Sequence, residues 1–406
     1  MNFWQVLCSP RMLVAALMGF SCGVPLLLTL SLLQAWMRRE GVDLGTIGMY
    51  ALVGLPYTLK FLWAPIFDSH VLGSLGRRRG WLLAAQLLLI AAVAVLSGAE
   101  PRESPRLLAL AALAVAFFSA SQDIIVDAYR REDLADRELG LGASFYVNGY
   151  RVGMLLAGSG GLILADHISF RLVYLLMAAS MVIGLCTTVL CREPPLAPGR
   201  PTSFQQAVLD PFVEYFRRKQ ALTILAFILL YKLGDQMAST MTMPFYLDLG
   251  FSTSQVGTVV KLFGFWATLA GGFLGGLLLL RLGIGVSLTI FGLLQALSTA
   301  GFALLAWAGA SLPLLAAVIA CENLTSGMGT AAYVAFMASS TDRRFSATQY
   351  ALLSSLMGVP RVLAAAPTGY LAAWLGWPFF FLACTLCALP GLLMLPRVQL
   401  QRNIAE

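Results

Sequence analysis

Apolar residues gather into twelve runs, at about 12–37, 45–66, 81–99, 107–128, 139–166, 172–191, 221–247, 254–280, 286–308, 312–340, 346–374 and 378–395. Each is close to or longer than the roughly 20 residues with which a helix crosses about 30 Å of hydrocarbon. The first run is too long for a signal-peptide core of roughly 7–15 residues, so it reads as a retained first helix. Connections are short except 192–220, which carries Pro194-Pro195, Pro198-Gly199 and Pro201, then an amphipathic piece ending Arg217-Arg218-Lys219. That segment divides six runs from six. The expected organisation is an N-terminal six-helix half (1–191), a linker (192–220) and a C-terminal six-helix half (221–406).

Composition fixes the class. The chain is 59% hydrophobic and 12% charged, with mean hydropathy +0.79, whereas soluble domains carry about 25% charged residues. An all-α, multi-pass membrane protein is expected. Its net charge of +7 does not call for a nucleic-acid partner, because the basic residues are sorted by side. The termini and the loops 67–80, 129–138, 192–220, 281–285 and 341–345 hold 17 of the 27 Lys and Arg. The loops on the other face hold five: Arg38, Arg39, Arg102, Arg106 and Arg171. The positive-inside rule then puts both termini and the linker in the cytoplasm. Cys384 and Cys387 share a CxxC spacing but lie in an apolar run without a second ligand pair, so neither a redox nor a metal site is expected.

The two halves repeat each other. Gly41-Val42-Asp43-Leu44-Gly45-Thr46-Ile47-Gly48 resembles Gly250-Phe251-Ser252-Thr253-Ser254-Gln255-Val256-Gly257 at an offset of 209 residues, and Tyr150-Arg151-Val152 resembles Pro360-Arg361-Val362 at 210. Duplication of a six-helix unit is the architecture of major-facilitator transporters, whose substrates bind near the membrane midplane.

Charge within a span costs about 2.5–3.5 kcal/mol per residue on insertion scales and marks function. Asp123 and Asp127 stand at i, i+4 on one face of the fourth span. Asp127 has a plain explanation in a helix-end pair with Arg130 or Arg131. Asp123, one turn deeper beside Gln122, is a proton-coupling candidate. Arg151 and Arg361 occupy matching places in the halves and stay charged, which suits recognition of carboxylate or phosphate; the alternative is bridging to a buried acid. Lys232 and Asp235 form either a self-neutralising pair or a switchable one. Lys261, Glu322 and Asn323 complete the path candidates with Lys60, which could instead snorkel to the surface. Asp68 to Arg79 resembles the acidic–Gly–basic loop that major-facilitator proteins carry between helices two and three. There Asp68, Gly76, Arg77 and Arg78 would clamp and release helix ends; the alternative is an ordinary basic loop. Both histidines, His70 and His167, look peripheral.

No GxSxG, HExxH or P-loop motif is present, so no enzyme, cofactor or nucleotide site is expected. Transport would run on an ion gradient or by facilitated diffusion. Protons are the default ion, with Asp123, Asp235 and Glu322 as carriers.

Several stretches carry a family resemblance: Gly23-Val24-Pro25-Leu26, Leu33-Gln34-Ala35-Trp36-Met37, Leu59-Lys60-Phe61-Leu62-Trp63-Ala64-Pro65, Gly76-Arg77-Arg78-Arg79-Gly80-Trp81, Ser119-Ala120-Ser121-Gln122-Asp123-Ile124, Tyr231-Lys232-Leu233-Gly234-Asp235, Glu322-Asn323-Leu324 and Phe345-Ser346-Ala347-Thr348-Gln349. In order, from about 12 to 395, they resemble the AmpG muropeptide permeases. The resemblance implies a bacterial inner-membrane, proton-coupled importer of GlcNAc-1,6-anhydroMurNAc peptides, serving peptidoglycan recycling. It also implies that Gly23, Ala120 and Gln122 are sensitive positions on the path. The chain is shorter than typical members. Shorter relatives include siderophore permeases, and the wider group includes acetyl-CoA transporters, so these are the alternative anionic solutes.

Overall fold

A computed structural model describes residues 9–42, 46, 50–195, 204–218, 220–252, 255–359 and 365–403. Among the described residues the regular structure is helical throughout, with no strand. Among the described residues, eight stretches are long and apolar enough to cross a membrane. One of them, Val256–Ala308, runs 53 residues, about 80 Å at 1.5 Å per residue and more than twice a hydrocarbon core. Gly283 breaks it at φ 74° and ψ 168°, a conformation essentially reserved for glycine. The stretch is therefore two crossings, matching the separate runs 254–280 and 286–308.

Several other predicted runs are helical but interrupted, among them the second, the fifth and the eleventh. The second is divided into Tyr50–Gly54, Leu55–Leu59, Lys60–Leu62 and Ala64–Ser69. Pro56 and Pro65 sit at helix starts there, where a missing N–H costs nothing. The fifth is Leu139–Leu155, a π-helical Leu156–Gly160 and Gly161–Ala165. The eleventh is Ser346–Met357 and Ala365–Leu375, with 360–364 outside the described residues.

The helices used below are α1 (Pro10–Leu28), α2 (Ala64–Ser69), α3 (Arg77–Ser97), α4 (Pro105–Asp133), α5 (Leu139–Leu155), α6 (Val182–Leu190), α7 (Phe204–Arg217), α8 (Ala221–Tyr231), α9 (Leu233–Asp248), α10 (Gly264–Ala308), α11 (Leu312–Ser339) and α12 (Ser346–Met357). Two compact units emerge from the packing: 1–212 with 338–355, and 213–337 with 356–406. The first unit thus includes the start of α12, from late in the chain.

Its core joins Leu28, Trp36, Leu89, Leu96, Val115 and Tyr174. Beside that core α1 and α5 meet along a seam of small residues. A Cβ on Gly23 would lie 2.0 Å from the Tyr150 carbonyl oxygen, and one on Gly149 would lie 2.0 Å from that of Ala16. Gly19 and Gly153 repeat the contact one turn away. Small residues four apart let membrane helices approach backbone to backbone, where packing replaces the hydrophobic drive. In the second unit Gly271 of α10 meets α11 the same way, 2.0 Å from the Leu324 oxygen. An aromatic core of Phe245, Phe302 and Phe381 packs that unit.

Candidate functional site

The first group sits at the start of α3. Gly76, at φ 103°, turns the chain into the helix. Glu193 supplies the cap: its carboxylate accepts the backbone N–H of Arg78 at 2.7 Å and of Arg79 at 3.0 Å, donors that have no intrahelical partner. Arg79 answers by donating to the Thr188 and Val189 carbonyls, at 2.9 and 2.6 Å, in the last turn of α6. Each helix end is closed by the other's side chain.

Arg77 and Arg78 turn inward and are buried. Arg78 donates to Asp68 Oδ1 at 2.7 Å, to the Phe67 carbonyl at 2.9 Å and to Ser346 Oγ at 2.8 Å. It also holds both oxygens of Glu132, which receives Arg77 Nη2 at 2.8 Å. Asp68 in turn accepts from the backbone N–H and hydroxyl of Thr348, at 2.9 and 2.8 Å. A carboxylate at the first turn of α12 is favoured by the helix dipole. The gating candidates Asp68, Arg77 and Arg78 are therefore brought together, with Gly76 as the turn. Glu132 and Glu193 carry no signal in the sequence reading, and Ser346 and Thr348 enter it only within the family-resemblance stretch Phe345-Ser346-Ala347-Thr348-Gln349.

A second polar group follows α4 toward the middle of its span. Asp127 pairs with Arg130 at 3.1 Å. The Arg130 guanidinium lies 4.7 Å from the Tyr146 ring and donates to the Tyr350 hydroxyl at 3.0 Å. One turn deeper, Asp123 is buried and its Oδ1 has no hydrogen-bond partner among the described residues. The opposite charge acting most on it is Lys60. Lys60 is only 7% exposed, which removes the snorkelling alternative. Gln122 is fully buried, donates from Nε2 to Cys22 Sγ at 3.4 Å, and leaves Oε1 without a partner among the described residues. Ala120 is buried on the same helix. Gly23, next to Cys22, belongs to the α1–α5 seam.

The third group lies in the second unit. Lys232, at the break between α8 and α9, donates to Gln295 Oε1 at 2.9 Å and reaches Asp235 at 3.4 Å. Glu322 of α11 accepts from Ser298 Oγ at 2.5 Å and from Thr299 Oγ1 at 3.4 Å. Ser298 also meets the Thr325 hydroxyl at 2.9 Å. Among the described residues no basic group lies within ion-pair distance of Glu322. Asn323 accepts from Thr268 at 2.8 Å, tying α11 to α10.

Arg151 is half-buried on α5, Lys261 is exposed in the π-helical Val256–Phe263, and Arg361 lies outside the described residues. Both histidines are exposed.

The Major Facilitator Superfamily profile matches residues 11–365. The anhydromuropeptide permease of Escherichia coli K12 is 42% identical over 97% of this chain and 81% of its own length. A putative transporter AmpG 1 of Rickettsia bellii is 33% identical over 94% of this chain and 97% of its own. Among solved structures, the E. coli fucose:proton symporter FucP superposes with a TM-score of 0.74 at 12% identity, covering 95% of this chain and 97% of that one. The proton:xylose symporter XylE gives 0.73 at 11%, covering 98% and 96%.

Proposed function

Because the chain belongs to the Major Facilitator Superfamily, and within it to the AmpG-type permeases, we propose that it imports anhydromuropeptides across the bacterial inner membrane for peptidoglycan recycling. The observation that carries this reading is 42% identity to an anhydromuropeptide permease along 97% of the chain. The excess of Lys and Arg on one face supports cytoplasmic termini and a cytoplasmic 192–220 linker between two six-helix halves.

Proton coupling is part of the proposal. Its support is that Asp123 and Glu322 are span carboxylates held without a close ion pair, while Asp235 shares Lys232 with Gln295. Asp123 and Glu322 can gain and lose a proton without dismantling a salt bridge, whereas protonation of Asp235 would release Lys232. The paired arginines, Arg151 and Arg361, are assigned to the solute's carboxylates. The Asp68–Arg78–Glu132 cluster is assigned to gating, because each of its bonds joins helix ends rather than lining a span.

The test is uptake of labelled anhydromuropeptide into vesicles of known orientation, with and without an imposed proton gradient. Gradient-driven accumulation supports both substrate and coupling. Absence of uptake by protein shown to be folded would overturn the substrate and redirect the assay to ferric siderophores and acetyl-CoA.

A further inference from the structure

Asp235 and Lys232 are the charged side chains that act on Glu322, so in the second unit two acids face one base. With both acids ionised the three would hold a net negative charge inside a span, which is costly. One proton on either acid makes the group neutral. A small cavity of about 10 Å³ adjoins the group, with Asp235, Gln295, Ala296, Thr299 and Thr385 among its lining residues. That is room for about one water molecule.

The donor set of the wall says what fits there. Gln295 is 6% exposed, and its Oε1 accepts from Lys232 at 2.9 Å. Gly329 of α11 leaves space for this contact, since a Cβ there would lie 2.8 Å from the same oxygen. The other end of the amide, Nε2, has no hydrogen-bond partner among the described residues. An unpaired buried donor is expensive, and the cavity is where a partner can sit. The hydroxyls of Thr299 and Thr385 donate to the Gln295 and Phe381 carbonyls, both at 3.0 Å, which leaves their oxygens as acceptors. A cation would oppose the Gln295 N–H, and an anion would oppose the Asp235 carboxylate. Water suits both, accepting from Gln295 and donating to Asp235 and Thr299.

We propose that this cavity binds one water molecule, through which Asp235 and Glu322 share a single proton. Thr299 is the link, because its hydroxyl lines the cavity and reaches Glu322 at 3.4 Å. A proton on Glu322 passes to the Thr299 oxygen, the hydroxyl's own proton passes to the water, and a water proton passes to Asp235. Thr299 and the water end as they began, and Lys232 is free to leave Asp235 for the ionised Glu322. Tyr231, Tyr246 and Cys384 are the other titratable groups beside the trio. Phenols and thiols are neutral at pH 7, so none of them alters the charge count. A part for this device in coupling rests on the transport reading above; the water and the shared proton do not.

Two measurements on the reconstituted full chain test it without any solute. Infrared spectra at neutral pH should show a protonated-carboxyl C=O band that is lost in Glu322→Gln and equally in Asp235→Asn, where Lys232 is freed to pair with Glu322. No such band, or one that survives Asp235→Asn, would overturn the shared proton. Ala296→Val fills the cavity. If it displaces a bonded water, it should lower the unfolding midpoint by at least about 2 °C, but not in the Gln295→Met background, which has no N–H to strand. An equal effect in both backgrounds, whether a loss, no change or the gain expected from filling a dry cavity, would overturn the water site. Failure of muropeptide uptake would leave both results standing.

Discussion

Asp68 closes the N-terminus of α12 through Thr348, whose backbone N–H and hydroxyl both reach its Oδ2, at 2.9 and 2.8 Å, across 280 residues of chain. The other oxygen of the same carboxylate takes Arg78 at 2.7 Å. One buried anion thus serves a helix dipole and a guanidinium together. The last turn of α2 is fastened to the first turn of α12. If the cluster gates as proposed, this tie is released in each transport cycle, and its strength bears on turnover as well as stability.

Asp68→Asn keeps the shape and removes the charge. Breaking a buried ion pair from one side costs about 3–5 kcal/mol, and Glu132 retains part of the hold on Arg78, so the lower end is expected. Thr348→Val removes only a hydroxyl bond, worth about 1 kcal/mol. Thermal unfolding of the purified protein should therefore rank wild type above Thr348→Val, and Thr348→Val well above Asp68→Asn. Equal midpoints for the two variants would mean that the carboxylate's charge contributes nothing there.

This cluster also shows where sequence reading reaches its end. Asp68, Gly76, Arg77 and Arg78 fall within one short loop, so their chemistry is visible in a glance along the chain. Glu132 is not, because the apolar run stops at Ala128 while α4 continues to Asp133 and carries the carboxylate inward. Hydrophobicity marks where a helix leaves lipid, not where it ends. Ser346 and Thr348 are ordinary residues until tertiary structure sets them beside Asp68, and no periodicity encodes a pairing at that distance. The same holds in the second unit: Lys232 and Asp235 are legible at i, i+3, whereas Gln295, the nearer partner of Lys232, is 63 residues away. The corner at Gly283, by contrast, follows directly from two apolar runs separated by five residues.

Gly23→Ala should be costly for a reason of space alone. Its methyl carbon would lie 2.0 Å from the Tyr150 oxygen, a backbone atom that cannot turn aside. Forcing α1 and α5 apart is an overpacking change of about 1–3 kcal/mol. The matched control is Gly54→Ala, where a Cβ meets nothing within 4 Å. Melting of the two variants in the same detergent should differ by several degrees, with Gly54→Ala at wild type. Indistinguishable midpoints would contradict the seam.

Asp123→Asn and Glu322→Gln each replace an ionisable group by a neutral one of the same size. If both carboxylates carry coupling protons, each variant should lose accumulation driven by a proton gradient and keep downhill exchange of labelled for unlabelled muropeptide. Lys60→Met, which removes the opposite charge nearest in effect to Asp123, should shift the pH dependence of exchange in wild type but not in the Asp123→Asn background. A variant that still concentrates solute against a gradient would strike its carboxylate from the coupling path. Each of the two can fail separately.

The arginines of the repeat make a prediction about ligand charge. Guanidinium remains protonated at any working pH, and a hydrogen bond to a charged group is worth about 1.5–3 kcal/mol. Arg151→Ala and Arg361→Ala should each raise the KM for a muropeptide with free carboxylates at least about tenfold, with the protein present in the membrane at wild-type amount. The decisive comparison is a ligand whose peptide carboxylates are amidated. Wild type should bind it as weakly as the variants bind the acidic form, and neither substitution should weaken it further. Should either variant lose the acidic and the amidated ligand in equal measure, that arginine is bridging helices and the solute's carboxylates are met by other residues.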